Sequence, residues 1–126
     1  MLKKKILVAD DDPGILDSLR LLLEEFDYEV ETVANGRKLF AVKKPFPDVL
    51  LLDIWMSGVD GGEICKHLKN KRSTKQIPII MISANKDTEQ IAKASGADDF
   101  VAKPFELTEL IGKIEKFTKT NSSLKN

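Results

Sequence analysis

The sequence has one cysteine, one histidine, no apolar run long enough to span a bilayer, and no excess of either charge. The lone Cys65 excludes an internal disulfide, and no secretory apolar segment precedes the first hydrophobic run, so a reducing cytoplasm is the expected location. Twenty Lys and Arg against twenty Asp and Glu give a formal net charge of zero. That balance removes the broad basic footprint that nonspecific binding to nucleic acid or anionic membrane requires. No repeat, linker or low-complexity stretch divides the chain. At 126 residues it has the length of one domain, able to bury about two-thirds of its unfolded surface without disulfide or metal staples.

What is present is a series of short apolar runs that end in polar residues. Ile6-Leu7-Val8-Ala9 reads as a buried first strand and terminates in Asp10-Asp11-Asp12-Pro13. Asp12 before Pro13 is a good helix N-cap with proline at the first helical position. Ile15, Leu16, Leu19, Leu22, Leu23 and Phe26 then recur on one helical face. Tyr28 to Val33 alternates as a half-exposed strand, and Asn35-Gly36 opens a predicted second helix carrying Leu39, Phe40 and Val42, stopped by Pro45 and Pro47. Val49 to Leu52 is a continuous apolar run of the kind buried on both faces of a parallel sheet, and Asp53 closes it.

A Gly-rich loop is expected over Ser57 to Gly62, followed by a helix from about Glu63 to Arg72 with Ile64, Cys65 and Leu68 inward. A fourth strand over Ile77 to Ile82 ends at Ser83-Ala84-Asn85, and Lys86 to Ser95 is a polar helix stopped by Gly96. A fifth strand over Asp98 to Ala102 ends at Lys103-Pro104. Leu107, Leu110, Ile111, Ile114 and Phe117 mark the last helix, before a polar tail over 120–126 that leaves 1–119 as the domain. Strands alternating with helices predict a doubly wound (βα)5 domain with a five-stranded parallel sheet.

In such a sheet the carboxyl ends of all strands lie on one edge, where open α/β folds bind ligands. Asp10, Asp11, Asp53, Ser83 and Lys103 therefore converge although they are distant in sequence. Carboxylates brought together raise one another's proton affinity unless a cation neutralises them, and Lys103 supplies one charge only. A hard divalent cation fits the deficit, and Mg²⁺ favours sites shared with phosphate oxygens. The arrangement predicts phosphoryl transfer with Asp53 as nucleophile. Lys103, the Ser83 hydroxyl and a backbone N–H after Asp53 would face the phosphoryl oxygens, and the small Ala84 leaves the approach open.

Asp10-Asp11-Asp12-Pro13, Leu51-Leu52-Asp53-Ile54-Trp55-Met56-Ser57-Gly58, Ile82-Ser83-Ala84 and Ala102-Lys103-Pro104-Phe105 together resemble the receiver domain of two-component response regulators, over residues 3 to about 119. The resemblance implies the flavodoxin-like strand order 2-1-3-4-5. It also implies that Asp53 accepts a phosphoryl group from a phosphohistidine on a sensor kinase or phosphotransfer protein, in a reaction requiring Mg²⁺. Asp11, Asp53 and the Trp55 backbone carbonyl would bind the metal directly, and Asp10 through water. Ser83 would be the switch hydroxyl, Lys103 the phosphate-pairing lysine and Phe100 the aromatic that turns inward, with Lys103–Pro104 matching a bond usually cis in the family. Two departures stand out: Ser57 occupies a position where proline is common, and the bulky Trp55 sits where the family tunes acyl-phosphate lifetime, so its indole is expected to screen the phosphoryl group from water.

Each residue taken alone has a plainer reading. Asp10 to Asp12 could be a solvated loop, Phe100 ordinary core, Cys65 a small core residue, and His67 part of a solvated face among lysines. The alternative function is a small phosphatase with an aspartate nucleophile. That chemistry needs a general acid two residues after the nucleophile, and Trp55 stands there. A flavin module is disfavoured because the loop after the first strand is acidic where phosphate binding wants Gly, Ser and Thr. The resemblance implies output through a protein-binding surface to a downstream protein target, as monomer or phosphorylation-dependent dimer, without direct contact to nucleic acid or membrane.

Overall fold

The computed structural model describes residues 3–56, 58–84 and 86–118. The polar tail expected over 120–126 lies outside these residues, as do Ser57 and Asn85. The described elements run in the order β1 (Lys5–Ala9), α1 (Pro13–Glu25), β2 (Glu29–Val33), a 3₁₀ helix (Gly36–Ala41), β3 (Val49–Asp53), β4 (Trp55–Met56), β5 (Val59–Asp60), α2 (Gly61–Lys69), β6 (Ile79–Ser83), α3 (Thr88–Ser95), β7 (Asp99–Ala102) and α4 (Leu107–Thr118).

Five strands form one parallel sheet in the order β2-β1-β3-β6-β7. Counting only these five, this is the expected flavodoxin-like 2-1-3-4-5 topology. Side-chain alternation sends the two faces of each strand into separate cores. Ile6, Val8, Leu51, Ile80 and Val101 pack against Leu16, Leu19 and Leu23 of α1 and Leu110, Ile111 and Ile114 of α4. Leu7, Leu50, Leu52, Ile79 and Met81 pack on the other side against Leu39, Ile64, Cys65, Leu68 and Ala92. Each central strand is thus covered twice, which is why its sequence is continuously apolar.

Local chemistry fixes the element ends that matter for the sheet edge. The Asp12 carboxylate accepts from the Gly14 and Ile15 N–H groups at 2.9 and 3.4 Å and so starts α1 directly after β1. Asp60 caps α2 in the same way, accepting from Gly62 N–H at 2.8 Å. Gly96 ends α3 with φ 85°, the left-handed conformation that glycine adopts at least cost. At the far end of the chain Tyr28 and Thr118 share a buried hydroxyl hydrogen bond of 3.2 Å, which ties α4 to the turn before β2.

The predicted second helix is the main correction. Gly36–Ala41 is a 3₁₀ helix of six residues, and Val42 already has extended backbone, φ −59° and ψ 134°. Pro45 and Pro47 follow too closely for an α-helix to propagate, because the residue before a proline is pushed out of the helical region. Leu39 and Phe40 still face the core, so their spacing reported burial rather than helix length. The expected loop after Asp53 contains a short antiparallel ribbon, Trp55 opposite Asp60 and Met56 opposite Val59. The capped start of α2 also comes two residues earlier than the apolar spacing suggested.

Candidate phosphoryl-transfer site

Register decides which strand ends meet. Ala9 lies beside Leu52 and Asp53 beside Ile82, while Ser83 lies beside Ala102. Asp10, Asp53, Ser83 and Lys103 consequently stand at consecutive strand ends on one edge. Backbone bonds extend this pairing past the strands: Asp10 N–H donates to Val33 C=O at 3.1 Å and Lys103 N–H to Ser83 C=O at 2.9 Å. Lys103–Pro104 is a cis bond, as the resemblance implied.

Carboxylate oxygens of Asp10, Asp11 and Asp53 all lie within 4.8 Å of one another. Asp10 and Asp53 are buried, and Asp11 lies nearer solvent. The Lys103 ammonium sits 3.4 Å from Asp10 Oδ2. Asp10 Oδ1 accepts from Asp12 N–H at 2.9 Å, and Asp53 Oδ1 accepts from Trp55 N–H at 3.3 Å. Among the described residues, the three carboxylates crowd together with the Lys103 ammonium beside Asp10. Burial, then the neighbouring Asp10, pushes the Asp53 carboxyl up to about 6, against the opposing pull of Lys103 and the Trp55 N–H, with Asp11 adding to the rise. An oxygen-only donor set of this charge suits a hard divalent cation such as Mg²⁺.

The response regulator receiver domain family matches residues 6–115. The chain belongs to this family. The receiver resembles the DNA-binding response regulator MtrA of Mycolicibacterium smegmatis, 33% identical over 95% of this chain and 53% of that protein. Among solved structures it resembles the chemotaxis response regulator CheY4 of Vibrio cholerae, with 31% identity, a TM-score of 0.82, and coverage of 92% of this chain and 99% of that one. The response regulator TrrA of Thermotoga maritima, solved in complex with Mg²⁺ and BeF, gives 34% identity and a TM-score of 0.77 over 90% of this chain and 98% of that one. The chain spans about half the length of the curated relatives it matches. Nothing in these comparisons supports the phosphatase alternative.

The other residues singled out from the sequence take distinct places in the receiver. Trp55 projects from the ribbon and is 54% exposed, next to the acidic cluster through its own backbone N–H. Phe100 packs partly against the core on the α2–α3 side, and its ring lies 5.4 Å from the Lys113 ammonium, within cation–π range. Cys65 is buried, with its thiol pushed up to about 11 by that burial, and so is inert. His67 is exposed and edges onto Phe40, whose carbonyl lies 3.1 Å from Nε2. Among the described residues, no helix is long and apolar enough to cross a membrane.

Two contributors escaped the sequence reading. Gly61 opens α2 against the backbone of β3, where a Cβ would collide with the Asp53 carbonyl oxygen and Ile54. Its N–H donates to Ile54 C=O at 2.6 Å. Beside Lys103, Ile15 and Leu19 of α1 join Ala84, Pro104 and Phe105 in lining an open apolar cleft of about 680 Å³. The apolar period of α1 announced its buried stripe but not that two of its members also border this cleft.

Proposed function

We propose that this receiver takes a phosphoryl group onto Asp53 from a phosphohistidine of a sensor kinase or phosphotransfer protein. The observation that carries the reading is the cluster of three carboxylates within 4.8 Å beside a single lysine ammonium. An Asp53 carboxylate oxygen bonds to phosphorus as the P–N bond breaks, and the departing imidazole keeps the electron pair and takes up a proton. Lys103 exchanges its contact with Asp10 for a phosphoryl oxygen, and the Ser83 hydroxyl donates to another. Asp10, Asp11, Asp53 and the Trp55 carbonyl would hold Mg²⁺, as the Mg²⁺ complex of the TrrA relative supports. That ion supplies positive charge to the carboxylates and to the phosphoryl oxygens.

The apolar cleft between α1 and Phe105 suits a helical phosphodonor, because it borders Lys103 and Asp12 beside the acidic cluster. Movement of Ser83 toward the phosphate, with Phe100 turning inward, biases the α3, β7 and α4 surface that a downstream protein target reads. The protein acts in the cytoplasm, as a monomer or as a dimer formed on phosphorylation. Incubation with Mg²⁺ and phosphoramidate tests the reading. One phosphoryl of added mass on wild type and none on Asp53→Asn is the expected result. Equal labelling of the variant, or steady phosphate release from esters, would overturn it.

A further inference from the structure

With only six residues of 3₁₀ helix between β2 and the Pro45–Pro47 segment, the helical layer on this flank of the sheet is thin. A groove of about 350 Å³ opens there, with Leu7, Val33, Leu39 and Val42 among the residues that line it. The charged side chains at its walls are four lysines, Lys5, Lys38, Lys43 and Lys44, and one glutamate, Glu31. Glu31 is already paired with Lys5 at 2.8 Å. Lys38, Lys43 and Lys44 are exposed, and no carboxylate among the described residues lies within ion-pair distance of any of them. In a chain of zero net charge, this groove carries three uncompensated positive charges over an apolar floor.

We propose that the groove docks an acidic amphipathic helix of a partner protein, which completes the helical layer that the 3₁₀ segment leaves short. The apolar face of such a helix would cover the half-buried Val33 and Val42, and its acidic flanks would meet Lys38, Lys43 and Lys44. The chemistry disfavours nucleic acid: the wall has no arginine fork and no aromatic stacking platform, and its floor is hydrocarbon. A membrane surface favours a protruding basic face rather than a recessed apolar one. The groove is lined by none of the residues assigned to phosphoryl transfer.

The test uses a fluorescein-labelled peptide of roughly 15 residues, long enough to form a helix, with leucines at i, i+3, i+4 and i+7 and glutamates elsewhere. Saturable binding is expected, with amide shift changes centred on Leu7, Val33, Leu39 and Val42. The Lys38→Glu/Lys43→Glu/Lys44→Glu variant should weaken it by at least roughly tenfold while keeping the wild-type melting temperature and phosphorylation by phosphoramidate. Lys38→Ala and Lys43→Ala, each with a smaller loss, keep the result readable if the triple variant is perturbed. Equal binding of a scrambled peptide without an apolar face, or a footprint elsewhere, would overturn the proposal. So would tighter binding of a single-stranded oligonucleotide or of phosphatidylserine vesicles.

Discussion

Gly61 lies so close to Asp53 that a single methyl group at position 61 would strike the Asp53 carbonyl oxygen. The start of α2 is thereby pressed against the strand end that carries Asp53, the proposed phosphoacceptor. Gly61→Ala is predicted to cost about 1–3 kcal/mol through overpacking, read by denaturant unfolding. It should also slow phosphorylation by phosphoramidate, because relief of the collision must move either α2 or the Asp53 backbone. A variant that unfolds and phosphorylates like wild type would show that the contact positions nothing.

The close approach of carboxylates in the acidic cluster predicts a pH signature. Asp53 titrates near 3.8 in an unfolded chain and at about 6 in the folded protein, mainly through burial and then Asp10. The folded state therefore holds the proton more tightly. Its contribution to stability is complete below about 3.8 and is lost as pH rises through about 6. In chelator at about pH 7.5, Asp53→Asn should raise the melting temperature by several degrees, given roughly 3–5 °C per kcal/mol in a domain of this size. At about pH 4 the difference should nearly vanish. A constant difference across this range would place the stabilisation elsewhere.

Mg²⁺ should act in the opposite sense on wild type. An ion that binds only the folded state raises the melting temperature in proportion to its occupancy, and Asp11→Asn or Asp53→Asn should abolish that rise. Trp55 is the only tryptophan, and its backbone N–H already donates to Asp53, so its fluorescence should change in the same titration. Trp55→Asn tests the expected screening of the phosphoryl group by the indole. Faster loss of the phosphoryl group is expected from that variant, and an unchanged dephosphorylation rate would rule out screening by the indole.

Lys69 is a structural residue that composition alone would assign to the surface. Its ammonium donates to the carbonyls of Ile77 and Lys75 at 2.7 and 3.1 Å and to Asp98 Oδ2 at 2.7 Å. Asp98 Oδ2 in turn accepts from Ile79 N–H at 2.8 Å. One lysine thus joins the end of α2 to the entry of β6. Lys69→Met should cost about 2 kcal/mol by leaving these acceptors unsatisfied, with phosphorylation by phosphoramidate intact below the new melting temperature.

The residues of the acidic edge were legible in the sequence because each closes an apolar run, and a parallel sheet brings all such closures to one side. Asp53 after Leu52 and Lys103 after Ala102 are conspicuous for that reason alone. The second helix is shorter than its spacing predicts because Leu39, Phe40 and Val42 satisfy helical spacing, whereas the segment's end is decided by Pro45 and Pro47. Trp55–Met56 and Val59–Asp60 are too short for any periodicity to report. Lys69 and Gly61 owe their importance to backbone atoms of Ile77, Lys75 and Asp53 that only the folded chain brings near. A pattern in sequence records burial well, and it records a neighbour's carbonyl oxygen not at all.

The assignment of Asp53 as phosphoacceptor is tested most directly by reducing the phosphorylated protein with borohydride, which converts an aspartyl phosphate to homoserine. Peptide mapping after reaction with Mg²⁺ and phosphoramidate should find homoserine at position 53 and nowhere else. Homoserine at Asp10 or Asp11, or a phosphoryl group that resists reduction, would contradict the assignment.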